Sequence, residues 1–282
     1  MIVSRHRGEH PDRRVLEDHI ASRCRSAGRD VILIPHLYHL TEHSAVWPEL
    51  RSLEGPLAVA SWLHPRPAEC VLRDRGVQGE LRCAIDLGAA ESAGEALSAI
   101  SEALGPAEGE GRLREIEDET PARWYPVLDR SQCTSCGHCL QFCLFGVYER
   151  DKAARVVATS PDLCKPGCPA CARICPHGAI MFPLCDEPAI AGAPGTCMEP
   201  DAAARRMFYV RTGRRCPVCG EVPGAEDAAF ARAGAVICEE CGRATEAAGE
   251  CEEESTVHAE IDALIDALDR ATGQRGPGGG GR

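Results

Sequence analysis

Aromatic residues are scarce. Phe, Trp and Tyr make up 4% of the 282 residues, so any core must be built mainly from aliphatic side chains. No run approaches the roughly 18 apolar residues of a membrane helix, and no membrane partner is expected. The first fourteen residues, MIVSRHRGEHPDRR, contain no apolar stretch of the kind that drives secretion, which points to a cytoplasmic, reducing setting. Long Lys/Arg runs are also missing. With 31 basic against 43 acidic residues the formal net charge is −12, so a nucleic-acid backbone would be repelled and protein partners are expected instead. No G-x-G-x-x-G turn occurs in residues 1–105, which leaves an NAD or FAD site there unsupported. Cysteine, by contrast, is abundant: there are 18, beside 28 Gly and 20 Pro. In a reducing compartment that number points to metal sites rather than disulfides.

Residues 1–105 read as an α/β domain with a small parallel sheet. Asp12 to Ser26 places Val15, Leu16, Ile20 and Cys24 near helical spacing before Gly28. Val31 to Ile34 is a short β-branched run suited to a buried strand, as are Leu57 to Leu63 and Leu81 to Leu87. Between and after them Ser44 to Leu53, Ala68 to Arg75 and Ser92 to Leu104 read as helices, the last two closed by Gly76 and Gly105. Such alternation implies helices on both faces of the sheet.

Composition then divides the remainder. Residues 106–124 are acidic and Gly-rich, as a solvated linker would be. Residues 125–185 carry eight cysteines, 186–214 form an Ala/Gly/Pro-rich connection, and 215–245 carry four more cysteines. In residues 246–272 Val257, Ile261, Leu264, Ile265 and Leu268 form an amphipathic helical stripe, and 273–282 read as a disordered tail.

Cys133, Cys136, Cys139 and Cys143 stand as C-x2-C-x2-C-x3-C, and Cys164, Cys168, Cys171 and Cys175 as C-x3-C-x2-C-x3-C before Pro176. Two-residue spacers let successive thiolates close on one face of a cubane. Between the runs, Gly146 to Arg150 and Arg155 to Ala158 flank Asp151 to Ala154, a hairpin pattern. This segment resembles the bacterial-type two-cluster ferredoxins, down to the C-P-x-x-A-I ending at Cys175 to Ile180. In that family the fourth cysteine of each run crosses to the other cluster. The resemblance therefore implies one [4Fe–4S] cluster on Cys133, Cys136, Cys139 and Cys175, and a second on Cys164, Cys168, Cys171 and Cys143. Two departures stand out. Leu144 follows Cys143 where the family usually has Pro, and three residues rather than two separate Cys164 from Cys168. Pro166-Gly167 can turn to absorb the extra residue; a [3Fe–4S] centre is the alternative if Cys164 falls short.

Cys216, Cys219, Cys238 and Cys241 form C-x2-C-x18-C-x2-C, which resembles a zinc ribbon, with Gly220 and Gly242 after the second cysteine of each pair. Zn²⁺ is expected there; a single iron has the same four-thiolate geometry. Acidic neighbours such as Glu221, Glu226 and Glu239 favour a structural or protein-docking role over DNA binding.

Cys24, Cys70 and Cys83 fall on expected core faces, while Cys185, Cys197 and Cys251 lie outside the motifs. His36, His39, His43 and His64, with Arg66 nearby, stand beyond the ends of the first two strand-like runs, where open α/β sheets bind ligands. They suit a transition-metal or tetrapyrrole site, or an anion pocket using Arg66. The leading expectation is one-electron transfer through two clusters to or from a redox partner protein, rather than a stand-alone enzyme. The alternatives are an enzyme or metal-handling factor built on the N-terminal histidines with the clusters as its electron supply, and a scaffold whose clusters are structural.

Overall fold

The computed structural model describes residues 1–196, 202–216, 219–224, 236–238 and 244–245. Cys197, Cys241, Cys251, the stripe within 246–272 and the tail at 273–282 lie outside these residues. No helix among the described residues is long and apolar enough to cross a membrane.

The N-terminal part is a five-stranded, wholly parallel sheet: β1 (Ile2–Ser4), β2 (Val31–Ile34), β3 (Pro56–Ser61), β4 (Glu80–Asp86) and β5 (Leu113–Glu115), in the order β4-β3-β1-β2-β5. Its connecting helices are α1 (Pro11–Ser26), α2 (Val46–Arg51), α3 (Pro65–Asp74) and α4 (Ala93–Leu104). Successive side chains of a strand point to opposite faces, and the core divides accordingly. Ile2, Ile34 and Val59 pack with Trp47 and Leu50 of α2 and Val71 and Leu72 of α3. Val3, Leu33, Ala58 and Ala60 pack on the other face with Ile20 and Cys24 of α1 and Ala96 and Ile100 of α4. Cys70 is buried too, and Cys83 is half-buried.

Two strands differ from the sequence reading. The central strand β1 is only three residues long, too short to display a period. β5 lies within the stretch expected to be a solvated linker, and all three of its residues are exposed. Main-chain pairing with β2 holds it, aided by Arg112 to Asp30 at 2.7 Å and Arg5 to Glu115 at 2.9 Å. The return toward this edge passes so close to the end of α1 that a Cβ at Gly28, whose φ is +83°, would stand 2.7 Å from the Glu108 carbonyl oxygen.

The cysteine-rich part is built from β6 (Val127–Leu128), α5 (His138–Phe142), β7 (Glu149–Arg150), β8 (Val156–Val157), α6 (Ala170–Arg173), β9 (Ile180–Met181) and α7 (Pro188–Ala191). β7 and β8 form the antiparallel hairpin that the sequence pattern suggests. β6 and β9 pair with Val127 opposite Met181 and Leu128 opposite Ile180. This ribbon has two working faces. Val127 and Met181 complete the core beside α2 and α3, whereas Leu128 and Ile180 join the cluster around the cysteines. Tyr38 and Tyr125 strengthen the junction: their rings stack at 4.3 Å, and the Tyr38 hydroxyl both accepts from the Tyr125 N–H and donates to its carbonyl, each at 2.6 Å. Further along are α8 (Ala202–Thr212) and the antiparallel pair β10 (Val236–Ile237) and β11 (Ala244–Thr245). Phe208 and Tyr209 of α8 pack with Phe142, Cys216, Cys219 and Cys238.

Candidate metal centres

The first cysteine run leaves β6 through a turn in which the Cys133 N–H donates to the Asp129 carbonyl, and it enters α5 at Cys139. Cys143 follows α5 in extended conformation (φ −68°, ψ 122°), which carries its side chain away from the helix that holds Cys139. The second run passes through Pro166-Gly167, with Gly167 at φ +76°, into α6 and on to Cys175. Eight thiols sort into two hollows. One, of about 20 Å³, is lined by Cys133, Cys136, Cys139 and Cys175 under Leu128, Val156 and Ile180. The other, of about 390 Å³, is lined by Cys143, Cys164, Cys168 and Cys171 and opens beside Leu144 and Phe145. Each hollow takes three cysteines from one run and the outer cysteine of the other.

Burial raises thiols in both hollows. Burial pushes Cys139 up to about 12, with Cys175, Cys136 and Cys133 adding to the shift. Burial likewise raises Cys164 to about 12, aided by Cys168 and Cys143. Thiols raised in this way stay protonated unless a cationic centre takes the place of their protons. Thiolates select zinc or iron–sulfur cores among biological metals, so the donor sets fit such a group.

Polar groups reach several sulfurs. The Tyr148 hydroxyl donates to Cys171 Sγ at 3.1 Å, the Ala179 N–H donates to Cys175 Sγ at 3.4 Å, and His138 Nδ1 lies 3.1 Å from Cys136 Sγ. His138 Nε2 is 3.1 Å from the Tyr209 hydroxyl, which ties α8 to the first hollow. Spacing rules for cysteines do not pick out Tyr148 or His138. Their signal is adjacency, since His138 sits inside C-G-H-C and Tyr148 five residues past Cys143.

One curated protein can be set beside this geometry: over 61 residues the chain is 39% identical to an uncharacterized ferredoxin of Methanocaldococcus jannaschii. Part of the chain is similar to a ferredoxin. The likeness covers 21% of this chain, which spans about 41% of that relative's length. No protein-family model and no solved structure matches.

Beyond the ferredoxin-like cysteine runs, the sulfurs of Cys216, Cys219 and Cys238 lie within 4.8 Å of one another, with Cys216 and Cys238 3.7 Å apart. The turn is a knuckle. The Gly220 N–H donates to the Cys216 carbonyl at 2.8 Å while Gly220 takes φ +74°, a conformation glycine adopts freely. Cys185 is half-buried near Phe182 and lines neither hollow.

The histidines of the N-terminal part separate. His36 and His39 are buried with ring centroids 4.6 Å apart, and His64 Nδ1 lies 2.8 Å from Asp86 Oδ2. His43 is exposed beside Glu42 and does not join them. Arg66 does not serve an anion pocket. Its guanidinium holds Asp129 Oδ2 at 2.7 Å and the Gly178 carbonyl at 2.8 Å, tying α3 to the loop after Cys175.

Proposed function

We propose that the chain is an iron–sulfur protein that passes single electrons to or from a protein partner through two [4Fe–4S] clusters. Cys133, Cys136, Cys139 and Cys175 hold one, and Cys143, Cys164, Cys168 and Cys171 the other. The reading is supported above all by the sorting of eight thiols into two hollows, each drawing on both runs. When bound, such clusters supply reversible one-electron chemistry over a wide range of potentials. The chain's own residues set the conditions. Leu128, Val156 and Ile180 keep water from the first hollow, while the second opens at Leu144 and Phe145, which are exposed, with Lys165 and Arg211 on the same rim. That opening is the natural side for electrons to enter or leave. We further propose that Cys216, Cys219 and Cys238, with Cys241, hold a zinc ion, or a single iron, that braces α8 against α5.

Anaerobically purified protein is expected to carry about eight irons, eight sulfides and one zinc per chain by ligand count. Dithionite should bleach its visible absorption reversibly and give EPR signals broadened by interaction between neighbouring centres. Fully iron-loaded protein that neither bleaches nor gives a signal would overturn the electron-transfer reading and leave structural clusters.

Tyr148→Phe provides a finer test. A hydrogen bond to a cluster thiolate favours the reduced, more negative state, so removing the hydroxyl from Cys171 should lower the potential of one centre only. Each ~1.4 kcal/mol of differential stabilisation corresponds to about 60 mV for one electron. A potentiometric titration in which neither or both centres moved equally would count against the ligand assignment.

A further inference from the structure

The chain leaves β1 for β2 on one side and then returns past β1 to β3, so β1 lies where the strand order reverses. In open α/β sheets ligands bind at the carboxyl ends of strands at such a reversal. On the β2 side of β1, at the carboxyl ends of β1, β2 and β5, a cavity of about 470 Å³ is lined by His6, Arg7, Gly8, Pro35, His36 and Thr120, among others. Two of its lining side chains carry a buried polar atom without a partner, His6 Nδ1 and His36 Nδ1, and His39 Nε2 and Ser61 Oγ, outside the lining, are further atoms of that kind. His36 is 5% exposed, His39 1% and Ser61 not at all. Buried polar groups in folded proteins are nearly always hydrogen-bonded, so such a concentration of exceptions calls for a missing partner.

The tautomers say what that partner is. The Arg123 main-chain N–H donates to His39 Nδ1 at 3.1 Å, so the His39 proton sits on Nε2. Arg13, whose guanidinium can only donate, contacts His6 Nε2, so the His6 proton sits on Nδ1. Both nitrogens are therefore N–H donors, and that of His6 belongs to the lining of the cavity. His36 lies between, its ring centroid 6.4 Å from His6 and 4.6 Å from His39. A metal ion would need lone pairs where these protons are. Freeing His39 Nε2 for a metal would move its proton to Nδ1, against the Arg123 N–H. Burial, with smaller contributions from neighbouring cationic groups, pushes His36 down to about 3 and His39 to about 4, so both stay neutral. Charge comes from Arg7, which is exposed and forms no ion pair among the described residues. Of the carboxylates on the far wall, Glu115 is paired with Arg5 at 2.9 Å, while Asp118, which accepts from the Ser44 hydroxyl and the Ala45 N–H, and Glu117 have no cationic partner among the described residues.

We propose that this cavity binds a small molecule through an oxyanion, a carboxylate or phosphate group, received by the N–H group of His6, with His36 beside it in the lining and Arg7 at the mouth. The inference does not rest on the iron–sulfur reading. It is tested by isothermal titration of the full-length, metal-replete chain with inorganic phosphate, with acetate and with Zn²⁺ in separate runs. Saturable binding of phosphate or of acetate is expected, and which of the two binds tells a phosphate-bearing ligand from a carboxylate. Arg7→Ala and His6→Leu should each weaken it at least tenfold, while Arg82→Ala, on the exposed β4 edge, should leave it unchanged. Arg7 is a surface residue, so its variant reports on binding even if His6→Leu misfolds. Three results would overturn the proposal: no saturable heat with either anion, anion binding indifferent to Arg7→Ala, or Zn²⁺ binding to the replete chain that His6→Leu removes.

Discussion

Replacing Cys143 with alanine is expected to remove the centre bounded by Cys164, Cys168 and Cys171 and to leave the other assembled, halving iron from about eight to about four per chain. The expectation runs against proximity in sequence, because Cys143 belongs to the first run. It follows from the exit of α5: Cys143 turns into extended backbone, and its sulfur lines the larger hollow rather than the one beside Cys139. Cys175→Ala should do the reverse, since Cys175 faces Cys133, Cys136 and Cys139. Iron and sulfide analysis with EPR of each variant checks the pair. If Cys143→Ala destroyed the centre of Cys133, Cys136 and Cys139 alone, the exchange of outer cysteines would be wrong. Should the alanine variant fail to accumulate, Cys143→Ser offers an oxygen at the same position and the same readout.

Tyr38→Phe is expected to cost about 2–6 kcal/mol although it keeps the ring and its stacking. The lost hydroxyl serves the N–H and the carbonyl of Tyr125 together, inside the junction of the α/β and cysteine-rich parts. Each buried main-chain group left without a partner costs ~1–3 kcal/mol. For a chain of this size that lowers the melting midpoint by roughly 5–15 °C. Thermal unfolding followed by circular dichroism and by visible absorption should shift in both signals. An unchanged midpoint would mean that water replaces the hydroxyl and that the contact is not structural.

How legible these features were depends on what each owes to side chains. β2 and β3 announce themselves as apolar runs because helices cover both faces of the sheet there, whereas the edge strand β4 has no fully buried residue and interleaves Glu80, Arg82 and Asp86 with its apolar positions; α1, α3 and α4 are closed by Gly28, Gly76 and Gly105. β1 is invisible to periodicity at three residues, yet it is the centre of the sheet. β5 is invisible for another reason: an edge strand can be held through its main chain, so Leu113 to Glu115 kept the composition of a linker. Cysteine spacing marks metal-binding chemistry directly, because ligand geometry constrains the number of residues between thiols. Hydrogen bonds from Tyr148 and His138, the commitment of Arg66 to Asp129, and the protonation of His6 and His39 depend on which distant segment arrives at each atom. No local pattern records that arrival.

The β6–β9 ribbon carries a consequence for cooperativity. Val127 and Met181 close one core while their neighbours Leu128 and Ile180 close the other, so neither core can open at this point without pulling on the same four residues. Subglobal opening in most proteins proceeds through separable units. Here the unit boundary falls through the backbone of a two-residue strand. A disturbance that loosens the thiol-lined side also removes Val127 and Met181 from their places against Val71 and Leu72, and strain from the sheet side reaches Leu128 and Ile180. Anything bound on one side of the ribbon therefore raises the free energy of opening on both, by the mass-action rule that links binding to folding.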